Sequence, residues 1–144
     1  SSWADITNAH VVSGAQSITA LKDTPGLPDR ACLLIAHMST QDANTNTKTA
    51  EVSLTTAREN KDFVIGFICQ SGVGSTQDDL GFLNMTPGVH LAKKGDKMGQ
   101  NYRTPSIVVN QGADIIIVGR GVTQSDAPDK AAEKYKDAAW KAYE

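Results

Sequence analysis

Two short stretches carry residue types that do chemistry at a useful spacing. The first is Gly119-Arg120-Gly121. Its glycines let the backbone come close to a ligand and turn N–H groups outward. The arginine between them is a planar fork with a permanent charge, matched to the oxygens of a phosphate. The second is Gly99-Gln100-Asn101-Tyr102, whose amide and hydroxyl can donate to the same anion. The plain alternative is a glycine turn with a solvated arginine, and these residues alone do not separate the two. Other combinations say less. Lys93-Lys94-Gly95-Asp96-Lys97 lacks the spacing of a Walker loop and reads as a solvated loop. His10, His37 and His90 do not stand at metal-ligand spacing with Cys32 and Cys69, so no zinc site is expected. Cys69 would need His10 or His37 beside it to act as a nucleophile. Reduced, buried, structural thiols are the simpler reading for both cysteines. The Ser/Thr/Asn-rich tract 39–49 reads as a mobile loop, with a lid that closes over a ligand as the alternative.

These residues need a scaffold that gathers them. Five apolar runs, 4–10, 31–38, 63–69, 84–91 and 114–118, alternate with longer polar segments. Runs 31–38 and 63–69 are apolar almost throughout, as in strands buried on both faces of a parallel sheet. Run 114–118 is β-branched nearly end to end and gives the strongest strand signal. Pro87 cannot donate to a ladder, so the fourth strand should stop there. Helices are expected over 15–22, 50–60 and 104–112, the last opened by Thr104-Pro105 and closed by Gly112. A short helix is expected over 78–83. The strongest helix is 125–144, with Ser125 as cap and one apolar stripe that includes Ala131, Tyr135 and Ala138. Five β-then-α units in a row predict a parallel sheet with right-handed crossovers. Chemistry gathers at the carboxyl ends of such strands. Here those ends are His10, Ser39, Gln70-Ser71, Thr86-Pro87-Gly88 and Gly119-Arg120-Gly121.

Length narrows the architecture. The chain has 144 residues, one α/β domain spanning 1–144. A closed eight-unit (β/α) barrel needs about 250 residues. Two architectures fit: an incomplete TIM barrel and an open doubly wound parallel sheet. Net charge is −2, which gives no electrostatic case for nucleic acid. No apolar run approaches the ~18 residues of a membrane span, and no signal peptide is visible at the start. The missing initiator Met reads as a processed product or a fragment. Reduced cysteines point to the cytoplasm.

Thr86-Pro87-Gly88-Val89, Gly99-Gln100-Asn101-Tyr102 and Asp114-Ile115-Ile116-Ile117-Val118-Gly119-Arg120-Gly121 together resemble the C-terminal signature of orotidine 5'-monophosphate decarboxylase, most of all the eukaryotic forms. Trp3-Ala4-Asp5-Ile6-Thr7-Asn8-Ala9-His10, Phe63-Val64-Ile65-Gly66-Phe67-Ile68 and Ala138-Ala139-Trp140-Lys141-Ala142-Tyr143 extend the likeness along the whole chain. The resemblance implies the C-terminal five βα units of a (β/α)8 barrel. It implies decarboxylation of orotidine monophosphate to uridine monophosphate without metal or cofactor. It assigns Gln100, Tyr102 and Arg120 to the substrate phosphate, Ser39 to the pyrimidine and Pro87 to the side of the base, with Gly119 also among the substrate-binding residues. The family's catalytic Asp-x-Lys-x-x-Asp strand has no counterpart in this sequence. The family usually has Glu where this chain has His37, and its next loop differs from 40–47. The chain is therefore expected to carry the phosphate and base loops, to lack a catalytic residue of its own and to be inactive alone. The alternative is a non-catalytic binding or assembly module derived from the same barrel. Either way, the two end strands are expected to be covered by a second copy or by the missing N-terminal half.

Overall fold

The computed structural model describes residues 4–24, 30–39, 46–74, 76–91 and 102–144. Five strands form one sheet: β1 (Ile6–Ala9), β2 (Ala31–Ile35), β3 (Val64–Ile68), β4 (Leu83–Thr86) and β5 (Ile115–Ile116). Every pairing is parallel and the spatial order is the sequence order, β1-β2-β3-β4-β5. That order decides between the two architectures. A doubly wound sheet reverses its strand order once, at a switch point. An order that never reverses, with right-handed crossovers, puts every helix on one face. The sheet is therefore a wall of a (β/α) barrel.

Five helices accompany it among the described residues: α1 (Ala15–Lys22), α2 (Thr47–Glu59), α3 (Pro105–Asn110), α4 (Arg120–Thr123) and α5 (Pro128–Tyr143). Helix α1 has the expected bounds. Helix α2 starts three residues earlier than its apolar spacing suggests. The reason is a reciprocal cap, in which the Asn46 side chain accepts the Thr49 N–H and the Thr49 hydroxyl accepts the Asn46 N–H. Helix α3 opens on Pro105, and Gly112 follows its end at φ 93°, a left-handed conformation that glycine adopts freely.

Three expectations fail. The helix expected over 78–83 is a single 3-10 turn, Gln77–Asp79, and β4 already begins at Leu83. Gly74 and Gly81, both at positive φ, bracket that turn and leave no room for a longer one. The run 114–118, the strongest strand signal, yields only the two-residue β5, because β4 offers it partners at Met85 and Thr86 alone; Gly119 then caps α4 and Arg120 is its first residue. Ser125 does not cap the last helix. It accepts the N–H of Ala127, two residues on, and Pro128 takes the first helical position.

The main core lies between the sheet and its helices. Cys32, Leu34 and Ala36 alternate along and just beyond β2, and Val64, Phe67 and Cys69 line β3 on the same side, with one extra residue between the first two. Ile18 from α1 and Ala57 from α2 close over them. The β2–β3 register shifts between the Cys32–Val64 and Leu33–Gly66 pairs, which takes up one extra residue in β3. Gly66 then sits so close to β4 that a Cβ would run into the Leu83 backbone. A bidentate ion pair from Arg58 of α2 to Asp79 (2.8 and 2.9 Å) fixes the crossover between β3 and β4. Thr76 donates its hydroxyl to the same carboxylate, which is held well below the usual carboxylate range, chiefly by Arg58. Both thiols are free and buried. Burial pushes each up to about 11.

A second, smaller core joins α3, α5 and the segment after β4 through Val108, Ala113, Val89 and Tyr135. Beyond it the sheet ends. Ile115, Ile116, Val118 and Val122 face Ala139, Trp140 and Tyr143 of α5 across an apolar cleft of about 760 Å3. Trp140 and Tyr143 are 61% and 69% exposed, so the apolar stripe of α5 is only partly covered.

Two consequences are open to measurement. Gly66→Ala should destabilise the fold by about 1–3 kcal/mol, the usual scale of forced overpacking, seen as a lower midpoint in urea unfolding. Alkylation of Cys32 and Cys69 at neutral pH should be slow in the native protein and fast after denaturation. Rapid native labelling of either thiol contradicts its burial.

Candidate functional site

The carboxyl ends of β2, β4 and β5 open on one cleft of about 240 Å3. Whole small-molecule sites typically occupy about 300–1,000 Å3, so this cleft is sized for part of a ligand. Ser39 reaches it from the segment after β2. Pro87, Gly88 and Val89 come from the segment after β4. Ile117, Gly119, Arg120 and Gly121 come from the end of β5 and the start of α4, and Tyr102 closes the rim.

A short ladder explains the place of Tyr102. The Arg103 N–H donates to the Gly88 carbonyl at 3.0 Å, and the His90 N–H donates to the Arg103 carbonyl at 2.9 Å. These two bonds lay residues 102–103 alongside the segment that leaves β4. Tyr102 then stacks against His90, with ring centroids 5.3 Å apart. Arg120 is a second neighbour: its guanidinium carbon lies 6.0 Å from the Tyr102 ring centroid, within cation–π reach.

The Arg103 side chain turns away from the cleft to brace the scaffold. It donates to the carbonyl and the side-chain oxygen of Gln70 and to the side-chain oxygen of Gln111. Partial burial lowers its pKa from the ordinary arginine value. Arg120 is the one charged side chain among the described residues that line the cleft. A guanidinium, a phenol, a hydroxyl and glycine backbone make a surface suited to an anion.

The structure brings five of the six sequence-expected residues to this cleft: Ser39, Pro87, Tyr102, Gly119 and Arg120. Gln100 lies outside the described residues, as does most of the 40–47 loop. His10 and Ser71 do not line the cleft. Sequence reasoning gave Val89, Ile117 and His90 no role at the cleft, because they fall inside the apolar runs 84–91 and 114–118. The strands themselves stop earlier, at Thr86 and Ile116, which frees these residues to reach the site.

His37 and Gln70 occupy matching positions, two residues past the Ile35–Ile68 pair. Among the described residues the His37 Nδ1 and Gln70 Nε2 atoms are buried without hydrogen-bond partners. Desolvation lowers the His37 pKa and favours the neutral ring. Cys69 has Asn84 and Thr86 at its sulfur. No group of three or more His, Cys, Asp or Glu side chains among the described residues could hold a metal ion. No helix there is long and apolar enough to cross a membrane.

A barrel wall of sequential parallel strands, with an anion-suited cleft at their carboxyl ends, defines a (β/α)-barrel protein with a candidate ligand site in the usual place for that fold. Sequence comparison then gives the family. The chain belongs to the orotidine 5'-phosphate decarboxylase / HUMPS family, whose model matches residues 1–135. It is 48% identical to the orotidine 5'-phosphate decarboxylase of Rhizomucor pusillus, over 99% of this chain and 54% of that protein. It is 44% identical to the one from Torulaspora delbrueckii, over 99% of this chain and 55% of that protein. The chain thus spans about half the length of the curated relatives it matches. Solved structures share the fold. The orotidine 5'-phosphate decarboxylase from Pyrococcus horikoshii OT3 superposes with a TM-score of 0.67 at 23% identity, covering 96% of this chain and 62% of that one. The orotidine 5'-monophosphate decarboxylase from Sulfolobus solfataricus gives 0.65 at 20% identity, covering 99% and 65%.

Proposed function

We propose that this chain supplies the phosphate- and base-binding part of an orotidine 5'-monophosphate decarboxylase. The observation that carries this reading is the cleft in which Arg120, Tyr102, Gly119, Pro87 and Ser39 meet. Arg120 and Tyr102, joined by Gln100, hold the 5'-phosphate. Ser39 contacts the pyrimidine and Pro87 packs beside it. None of these groups breaks the carbon–carbon bond. Their part is to bind the phosphoribosyl end, and that binding energy is spent on stabilising the transition state at the distant carboxylate.

The proton donor belongs to an Asp-x-Lys-x-x-Asp strand, a pattern this sequence does not contain. That strand must come from outside these 144 residues. The ends of the sheet at β1 and β5 are where preceding barrel units, or a second copy, would pair. The working enzyme is cytoplasmic and oligomeric in this reading, and belongs to pyrimidine nucleotide synthesis. A non-catalytic binding module is the second reading. The neutral His37, with its unpartnered buried Nδ1, favours it.

Calorimetry with uridine monophosphate tests the phosphate grip. Arg120→Ala should weaken binding by about 1–3 kcal/mol, the scale of a lost charge-assisted hydrogen bond. Unchanged affinity removes Arg120 from the site. Decarboxylation of orotidine monophosphate tests the division of labour. The purified chain should show no turnover above background, and co-expression with the N-terminal half of a related decarboxylase should restore it. Turnover by the chain alone would overturn the assignment of the proton donor.

A further inference from the structure

Tyr135 is the one buried residue of α5, at 3% exposure. Its ring packs with Val89, Val108 and Ala113. That apolar neighbourhood needs a ring but no hydroxyl. The hydroxyl lies where two segments of the chain meet. On one side it accepts the Leu91 N–H at 3.3 Å, in the segment that leaves β4. On the other it lies against Gly121, where any Cβ would run into the hydroxyl and the ring carbon that bears it. The His90 ring stands edge-on to Tyr135, with centroids 6.3 Å apart, and its other neighbour is Tyr102 at 5.3 Å.

These two segments are the two arms of the cleft. One carries Pro87, Val89 and, through His90, Tyr102. The other carries Gly119 and Arg120. Tyr135 itself does not line the cleft. We propose that the Tyr135 hydroxyl is a positioning group that clasps the two arms and sets the spacing between Tyr102 and Arg120, and with it the fit to a phosphate monoester. Gly121 is then required for two reasons: it lines the cleft, and its missing side chain admits the clasp. The inference rests on the phosphate reading of the cleft.

Tyr135→Phe keeps the ring and removes only the hydroxyl. Calorimetry with uridine monophosphate and with uridine, on the whole chain, separates the outcomes. The wild-type chain should bind the nucleotide more tightly than the nucleoside. Tyr135→Phe should weaken nucleotide binding by roughly three- to tenfold, the scale of one hydrogen bond, and leave uridine unchanged. Equal nucleotide affinity in the variant overturns the clasp, as does a parallel loss for both ligands, which marks a packing effect. A wild-type chain that fails to prefer the nucleotide overturns the phosphate reading instead. Amide exchange gives a readout that does not depend on the variant folding. Uridine monophosphate should slow exchange of the Leu91 amide in the wild-type chain, and an unchanged rate there overturns the clasp.

Discussion

The whole arrangement depends on a parallel ladder that never reverses. Each right-handed crossover returns the chain to the same side of the sheet, so helices collect on one face. Because every pairing is parallel, every carboxyl end opens toward the same rim. Ser39, Pro87 and Arg120 are far apart in sequence, yet they follow the second, fourth and fifth strands and meet in one cleft. A single reversal would have sent half of them to the opposite side of a switch point.

Burial enforces that order unevenly. The β2–β3 pair is held from the helix side by a continuous apolar cluster and by the ion pair that anchors the next crossover. This half of the sheet is buried on its helix side. The other half is held by a smaller cluster around Tyr135, and beyond β5 the apolar stripe of α5 meets an open cleft. The site straddles these halves. Ser39 hangs from the well-packed side, and Tyr102 and Arg120 from the thinner side. The links that locate them are therefore local: a two-bond ladder, a chain of three ring contacts and the brace from Arg103.

Glycine does different work at two of its positions. Gly66 lets β3 absorb an extra residue and still lie against β4. Gly121 admits a tyrosine from a distant helix. In sequence Gly121 reads as half of a phosphate-binding pair, and its packing role is invisible until α5 is folded back over it. Arg103 and Arg120 show the same divide. Arg103 follows a tyrosine and Arg120 stands between two glycines; the first is consumed by three oxygens of the scaffold and the second lines the cleft.

The sequence by itself determined the number of strands, their near-continuous apolar character, the stop at Pro87 and the bounds of α1. These follow from local rules of burial, ring geometry and spacing that each segment obeys alone. It also marked Ser39, Pro87, Gly119 and Arg120 as residues at strand ends, because those ends are readable once the runs are found; the place of Tyr102 came from the ladder beside β4. It did not determine the 3-10 turn that replaces a helix before β4, the early start of α2, or the uncapped entry to α5. Those turn on which polar side chain reaches which backbone group, and the spacing of apolar residues does not record that. The pattern of apolar runs left both an open sheet and a barrel wall standing, and the strand order of the tertiary structure decided between them. The choice lies in the order of strands across the sheet, and five runs of similar character have no local label that says which neighbour each will take.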